Sequence, residues 1–71
     1  MTRHITAETL PGKPQAGATL LLIDAANALD DRNKKVTFVT VDLSEQNLRM
    51  KGLNKNIPIV RGETEEVLVE E

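Results

Sequence analysis

The sequence predicts a small α/β domain whose elements follow the order β-α-β-α-β-β, with a mixed sheet. Three observations support this class. One run of β-branched residues resembles a central strand, a helical period precedes it, and two short apolar runs follow near the C-terminus. The 71 residues make a single domain, 1–71, which is near the lower size limit for a core that folds without help.

The run from Val36 to Leu43, residues 36–43, is predicted to be the central strand. It is the longest stretch of β-branched and aromatic residues, and it contains Phe38, the only aromatic residue of the chain. Phe38 would point to one face of the sheet, whereas Val39 and Val41 would point to the other. A strand that is apolar on both faces is normally covered on both sides, so we expect such cover here and Phe38 in the core.

Residues 1–15 are predicted to form an edge strand or a flexible N-terminal arm. Ile5 and Ala7 give only a weak alternation, but the threonines around them favour a strand. Residues 11–15 contain two of the three prolines and indicate a turn or linker. Pro14 could also open the helix that follows.

Residues 16–35 allow two interpretations. In the first they form one long helix, with its apolar face built from Leu21, Leu22, Ala25, Ala26, Ala28 and Leu29. In the second, residues 19–23 form a strand, and Asp24 caps a short helix that begins at Ala25. The pattern favours the single helix and leaves the choice between Thr19 to Ile23 as helix or strand open.

A short second helix is predicted after the central strand. Either Asp42 or Ser44 could cap it, and Gly52 is placed to end it. Leu48 and Leu53 are the side chains best able to dock this helix on the sheet. Met50 is a weaker candidate for the same contact.

Two more strands are predicted at the C-terminal end. Residues 57–60 form a short apolar run, and Pro58 within it indicates an edge, a strand start or a special bend. Residues 61–64 are typical of a hairpin turn. Residues 65–71 alternate imperfectly and make the last strand, which we expect to be an exposed edge able to pair with a partner.

Three local segments resemble the thioredoxin and glutaredoxin family. Residues 35–45 are similar to its second strand and the acidic residue after it. Residues 56–60, with Pro58, resemble the segment where the family carries a cis proline before a strand. Residues 13–19 lie where glutaredoxins have Lys-Pro-x-Cys-x-x-Cys. The resemblance implies a small thioredoxin-like sandwich without its last helix, covering residues 3–70.

The chain departs from this family at its reactive centre. Ala16 and Thr19 stand where the two cysteines would be, and the sequence contains no cysteine. Because disulfide exchange requires a thiolate, the resemblance implies a redox-inactive member. What it leaves is the concave surface near Pro58, which in that family receives polypeptides. The sequence does not decide whether the Ile57–Pro58 bond is cis or trans.

The residue types argue against an enzyme, a metal site or a cofactor. Nucleophilic catalysis needs a base beside the nucleophile, and the single histidine, His4, lies near a terminus. Asp30 and Asp31 are adjacent, but neighbours on a helix point about 100° apart and are not expected to share a site. No glycine-rich phosphate loop is present, because the four glycines are isolated.

Charge is segregated along the C-terminal half of the chain. Residues 43–62 carry four basic residues against Glu45 alone, whereas residues 63–71 carry five glutamates and no basic residue. With Pro58, the four basic residues are the predicted partner-binding residues: Arg49, Lys51, Lys55, Pro58 and Arg61. The same basic stretch, residues 49–61, supports nucleic-acid binding as the alternative. That alternative lacks stacking aromatics, and the chain has a net charge of −2.

The predicted function is therefore a small non-catalytic protein-interaction module that binds and modulates, or inhibits, a larger protein. Small cysteine-free proteins of this kind suggest, by analogy only, a viral or mobile-element regulator of host machinery such as RNA polymerase. A redox-inactive thioredoxin-fold subunit is a further alternative, and a homodimer stays open. The polar start and the short apolar run at residues 18–23 predict a cytoplasmic protein, in the host cytoplasm if viral, without a membrane partner.

Overall fold

The computed structural model describes residues 1–9, 17–41 and 44–71, which form a small α/β fold with a four-stranded mixed sheet and two helices. The elements are, in chain order, β1 (Thr2–Thr6), a 3₁₀ turn (Ala7–Thr9), α1 (Ala18–Asp31), β2 (Lys35–Thr40), α2 (Glu45–Met50), β3 (Ile59–Arg61) and β4 (Glu66–Glu70). The predicted α/β class is confirmed at this level. The finer assignment to a thioredoxin-like sandwich stays a prediction.

The strands lie in the order β1-β4-β2-β3. β4 is antiparallel to both of its neighbours, and β3 is parallel to β2. β1 and β2 therefore run in the same direction with β4 between them, which makes β1-α1-β2 a split β-α-β unit. β2 is internal, as predicted, but it ends at Thr40, and Val41 beyond it is exposed. Asp42 and Leu43, predicted to continue it, lie outside the described residues.

The position of the last strand corrects two expectations. β4 is internal and pairs with β1 and β2, so it is not an exposed edge. Residues 61–64 do not form a hairpin turn, because β3 and β4 are not neighbours in the sheet. The amide of Gly62 donates to the Thr40 carbonyl at 3.0 Å, so the chain leaves β3 beside the end of β2 before β4 begins on the far side of that strand.

Both helices lie on one face of the sheet, where they enclose the apolar core. Its buried members are Leu22, Ile23, Ala26, Val36, Phe38, Leu48, Leu53, Ile57, Val67 and Val69. Phe38 is fully buried, as predicted. Val39 points to the other face, where the described residues place no helix. Val39 is nevertheless only 7% exposed, and Gly62 lies directly against it.

α1 is one continuous helix, so the interpretation of residues 19–23 as a strand is wrong. Its buried side is Leu22, Ile23 and Ala26, whereas Leu21, expected on the apolar face, is 42% exposed. The helix ends at Asp31, and Asn33, the second residue after it, has a φ of 65° in the left-handed region. The amide of Lys34 then bonds to the Leu29 carbonyl at 3.1 Å, which closes the helix in a Schellman motif.

α2 begins after Ser44, and Asp42, the other candidate cap, lies outside the described residues. Gly52 ends the helix with a φ of 108°, as predicted, and the amide of Leu53 bonds to the Leu48 carbonyl at 3.1 Å. Leu48 and Leu53 are both buried and dock the helix, whereas Met50 is 78% exposed. This short helix is therefore attached through its C-terminal turn.

The edge interpretation of the N-terminal residues holds for β1, which occupies residues 2–6 at one border of the sheet. The predicted turn at residues 11–15, and Pro14 with it, lies outside the described residues. No helix among residues 1–9, 17–41 and 44–71 has the length and apolar character needed to cross a membrane.

Candidate functional site

The connection from α2 to β3, residues 52–58, is the most extensively bonded irregular segment that the structure describes. Arg49 on α2 donates to the carbonyl oxygen of Asn54 and, at 2.7 Å, to that of Ile57. Its guanidinium also lies 3.4 Å from the Glu45 carboxylate. A guanidinium presents several donors in a fixed plane, so one side chain can hold two carbonyls of the loop.

Side chains of α1 also form hydrogen bonds with residues 52–58. The Asn27 side chain donates to the Gly52 carbonyl at 2.8 Å and accepts from the Asn54 amide at 2.8 Å. The Asp30 carboxylate accepts from the side-chain amides of Asn54 and Asn56, both at 2.9 Å. This network joins residues that are distant in sequence and fixes the path of the chain into β3.

Asp30 and Asp31 meet at one donor, contrary to expectation. The side-chain nitrogen of Asn54 lies 2.9 Å from an Asp30 oxygen and 3.2 Å from an Asp31 oxygen. A side-chain amide nitrogen carries two hydrogens, so it can donate one to each carboxylate. The pair accepts hydrogen bonds from a structural amide, so it serves to hold the loop.

The outer edge of β3 carries backbone groups that no strand pairs within residues 1–9, 17–41 and 44–71. The Pro58 carbonyl accepts from the Phe38 amide at 2.9 Å, and the Gly62 amide donates to Thr40, so even-numbered residues of this segment face β2. In a strand the backbone groups alternate in direction. The amides and carbonyls of Ile59 and Arg61 therefore point away from the sheet, along its free border.

The other border of the sheet, along β1, is partly closed by its own chain. Met1 and Glu71 exchange hydrogen bonds, so the backbone groups of Thr2, His4 and Thr6 point outward. The Thr9 hydroxyl accepts from the Thr6 amide at 3.0 Å and donates to the Thr6 carbonyl at 2.9 Å. A side chain that satisfies the outward groups of an edge strand blocks the addition of another strand there.

The five predicted partner-binding residues do not form one compact patch. Arg49 is turned inward onto the loop carbonyls, and its side chain is only 21% exposed. Lys55 and Pro58 are exposed just before β3, and Arg61 is exposed at its end. Lys51 is exposed at the end of α2. Among the described residues, no ion pair involves Lys51, Lys55 or Arg61.

Clefts lie beside Pro58 and Lys51. One, of about 480 Å³, opens at the start of β3 and is lined by Pro58 and by residues of α1, β2 and β4. The other, of about 390 Å³, contains Lys51, Thr40 and Thr19. Glu65 also lines this second cleft, and its carboxylate accepts from the Thr19 hydroxyl at 2.8 Å. An acidic side chain thus already occupies the first turn of α1, where an anion is favoured.

Hydrogen bonds to other side chains engage the titratable groups of His4, Glu65 and Glu66. His4 Nδ1 lies 2.5 Å from a Glu66 oxygen on the uncovered face of the sheet. Glu65 accepts a hydrogen bond from Thr19 of α1, whereas the adjacent Glu66 bonds to His4. The two glutamates thus contact different partners, as expected for neighbours that point in opposite directions along an extended chain. Within the described part of the chain, no group of three histidine, aspartate or glutamate side chains could hold a metal ion.

Sequence reasoning missed the network of Asn27, Asn54 and Asn56, whose role depends on contacts between distant segments. Its local signal was the pair of asparagines around Lys55, which indicated only a polar loop. The inward orientation of Arg49 had no local signal. Neither a family model, nor a curated protein, nor a solved structure was found to match this chain.

Proposed function

We propose that this chain is a small non-catalytic protein-interaction module that binds and modulates a larger protein. The observation that supports it most directly is the outer border of β3, whose backbone groups have no strand partner in the part of the chain that the structure describes. The exposed cation Arg61 lies on this strand, and the exposed Lys55 lies in the loop before it. Sheet edges of this kind are a recurrent site for binding another polypeptide. Inhibition of host machinery, as by a viral regulator, is one form of modulation that only analogy supports.

The order of the adjoining loop supports the same proposal. Arg49 holds the chain from one side, and Asn27 with Asp30 holds it from the other. A border that is already fixed before binding loses little conformational entropy when a partner binds. The module would therefore present Lys55, Pro58 and Arg61 as a pre-formed surface.

The thioredoxin-like resemblance is a finer part of the proposal. It would make the chain a redox-inactive member, because the sequence contains no cysteine. The Ile57–Pro58 peptide bond is trans in this structure, so the cis proline that the resemblance suggested is not found. The Pro58 carbonyl instead pairs with Phe38 and places the proline at the strand start.

Nucleic-acid binding is the second candidate, and two observations weaken it. Phe38, the only aromatic residue, is fully buried, so it is not available to stack on a base. Arg49 is engaged with loop carbonyls, which leaves Lys51, Lys55 and Arg61 from the basic stretch. Three separated cations give little phosphate neutralisation.

The test compares partner capture by two double variants of the tagged full chain, using nuclease-treated lysate from the native host. Lys55→Gln with Arg61→Gln should weaken capture of a stoichiometric protein about tenfold, because two charges at the rim of an interface are lost. Both side chains are exposed, so the melting temperature should not change.

The matched control is Arg3→Gln with Arg32→Gln, which removes two exposed positive charges that belong neither to β3 nor to residues 52–58. This control should capture the partner as the parent chain does. Equal loss in both double variants would show a nonspecific charge effect and would contradict the site. Capture of nucleic acid alone, from lysate without nuclease treatment, would replace the proposal by the second candidate.

A further inference from the structure

We infer that the partner segment is an extended, acidic stretch of another protein, with apolar residues at alternate positions, that adds to β3 as a fifth strand of the sheet. This inference rests on the proposed function, because it specifies how the module would bind. It is carried by the direction of the backbone groups of β3, by Arg61 at its end with Lys55 in the loop before it, and by the exposed Val60 at its centre.

The backbone geometry limits where a fifth strand can bond. The amides and carbonyls of Ile59 and Arg61 point outward, whereas those of Val60 face β2. An added strand would thus bond to two residues of β3 and leave the existing ladder intact. At the opposite border the outward groups of Thr6 are already bonded to Thr9. Thr2 and His4 on β1 still direct backbone groups outward, so the backbone alone does not distinguish the two borders. The choice of β3 rests on its exposed arginine and valine.

The side chains of β3 indicate the character of the incoming strand. Val60 is 44% exposed on the uncovered face, beside Val39 in the parallel register. An apolar residue of the partner could pack on it. Arg61 points to the opposite face, and neither it nor Lys55 forms an ion pair within the described residues. Acidic residues at the alternate positions would meet these cations.

A second copy of this chain is a less favourable occupant. If two β3 strands paired antiparallel about Val60, the two valines would meet on the uncovered face. The same arrangement would bring Lys55 and Arg61 of both copies to one seam without an acidic residue of β3 to offset them. Like charges placed along a strand pair destabilise it. An acidic partner removes this repulsion and satisfies the same backbone groups.

The experiment measures binding of short peptides by amide hydrogen exchange of the full chain. The probe is an acetylated and amidated seven-residue peptide of alternating valine and glutamate, and its control alternates valine and lysine. At about 90% occupancy the glutamate peptide should slow hydrogen exchange at the Ile59 and Arg61 amides roughly tenfold, because only about a tenth of the molecules are then without bound peptide. The amides of Thr2 and His4, outward on β1, should not change.

Two N-methylated forms of the glutamate peptide separate strand pairing from charge attraction. One is methylated at every valine and the other at every glutamate, and both keep the side chains and the charge. Since only alternate backbone groups of an added strand face its neighbour, one form should bind and the other should not. Equal binding by both, or stronger binding by the lysine peptide, would overturn the inference.

Two substitutions of Arg61 in the protein also separate backbone pairing from charge attraction. Arg61→Gln removes the charge, and Arg61→Pro removes both the charge and the outward amide while leaving the bonds of Val60 and Gly62 to β2. Affinity for the glutamate peptide should fall about threefold in the first and at least tenfold in the second. Equal affinities of the two variants, with unchanged melting of Arg61→Gln, would contradict backbone pairing.

Failure of this inference is distinguishable from failure of the proposed function. If the lysate protein is captured through Lys55 and Arg61 while the Ile59 and Arg61 amides stay unprotected in that complex, the module stands and the strand addition is wrong. If these amides become protected in the chain alone as its concentration rises, the occupant is a second copy and the inference is overturned. Protection by the glutamate peptide without protection at high concentration supports it.

Discussion

At single positions of this chain, local geometry decides which residue fits. Gly62 passes beside the central strand, where a Cβ atom would lie 2.4 Å from Val39 Cγ1. Its φ is outside the left-handed region, so the reason for glycine here is space. Gly52 is the opposite case, because its φ is 108° and a Cβ there would meet nothing within 4 Å. Two glycines of one short sequence thus serve different physical purposes.

Gly62→Ala should lower the free energy of unfolding by about 1–3 kcal/mol, because the added methyl overpacks against a buried valine. Denaturant unfolding measures the change. In the double variant with Val39→Ala the shortened side chain makes room, so the cost of Gly62→Ala should fall well below its value in the parent. Gly52→Ala is the control, since its cost comes from backbone conformation and should be the same with either residue at position 39. Additive costs for Gly62→Ala and Val39→Ala would contradict the close approach.

At the scale of elements, the helices follow from local pattern, whereas the sheet order does not. The period of residues 16–35 favours a helix over a strand at residues 19–23, and Gly52 predicts the end of α2, because propensity and caps act over one or two turns. The position of β4 between β1 and β2 depends on pairing between residues over 60 apart, such as Thr2 with Glu70. Alternation in β4 indicates a strand but does not identify its neighbours.

The candidate site likewise combines residues that local sequence pattern predicts with contacts that it does not predict. Lys55, Pro58 and Arg61 were predicted from charge and proline position, and the structure places all three at the surface beside or on β3. Arg49 belongs to the same basic stretch, but it is directed to the loop because Asn54 and Ile57 present carbonyls to it. Charge counted along a sequence does not show which cations are already engaged.

The loop of residues 52–58 should loosen when its guanidinium clamp is shortened. Arg49→Lys keeps the charge, but a lysine cannot present a planar fork to two carbonyls, so we expect a loss of about 1–2 kcal/mol in unfolding free energy. Exchange of the Ile57 amide, which bonds to Asn54 at 3.2 Å, should accelerate. The control is Lys51→Gln, because Lys51 lies two residues after Arg49 and its side chain is exposed. A stability loss in both variants, or in neither, would argue against the clamp.

The whole molecule is a two-layer fold in which one face of the sheet is uncovered among the described residues. The helix face carries Val67 and Val69, and the other face carries Glu66 and Glu70 beside the partly exposed Leu68. Alternation along β4 therefore reports which side the helices occupy. A fold built from a chain of 71 residues has a small core, so we expect substitutions on the buried face of the sheet to cost more stability than those on the uncovered face.

Substitutions at two neighbouring positions of β4 measure this difference. Val67→Thr places a hydroxyl in the fully buried core, where it loses hydrogen bonds to water, so it should cost about 1–3 kcal/mol. Leu68→Thr removes more apolar volume, yet it should cost less than about 1 kcal/mol, because this side chain keeps contact with solvent on the uncovered face. Both values come from denaturant unfolding at several protein concentrations. If Leu68→Thr costs as much as Val67→Thr and the cost grows with concentration, the uncovered face is an interface between copies, because only a second chain would bury it in a concentration-dependent way.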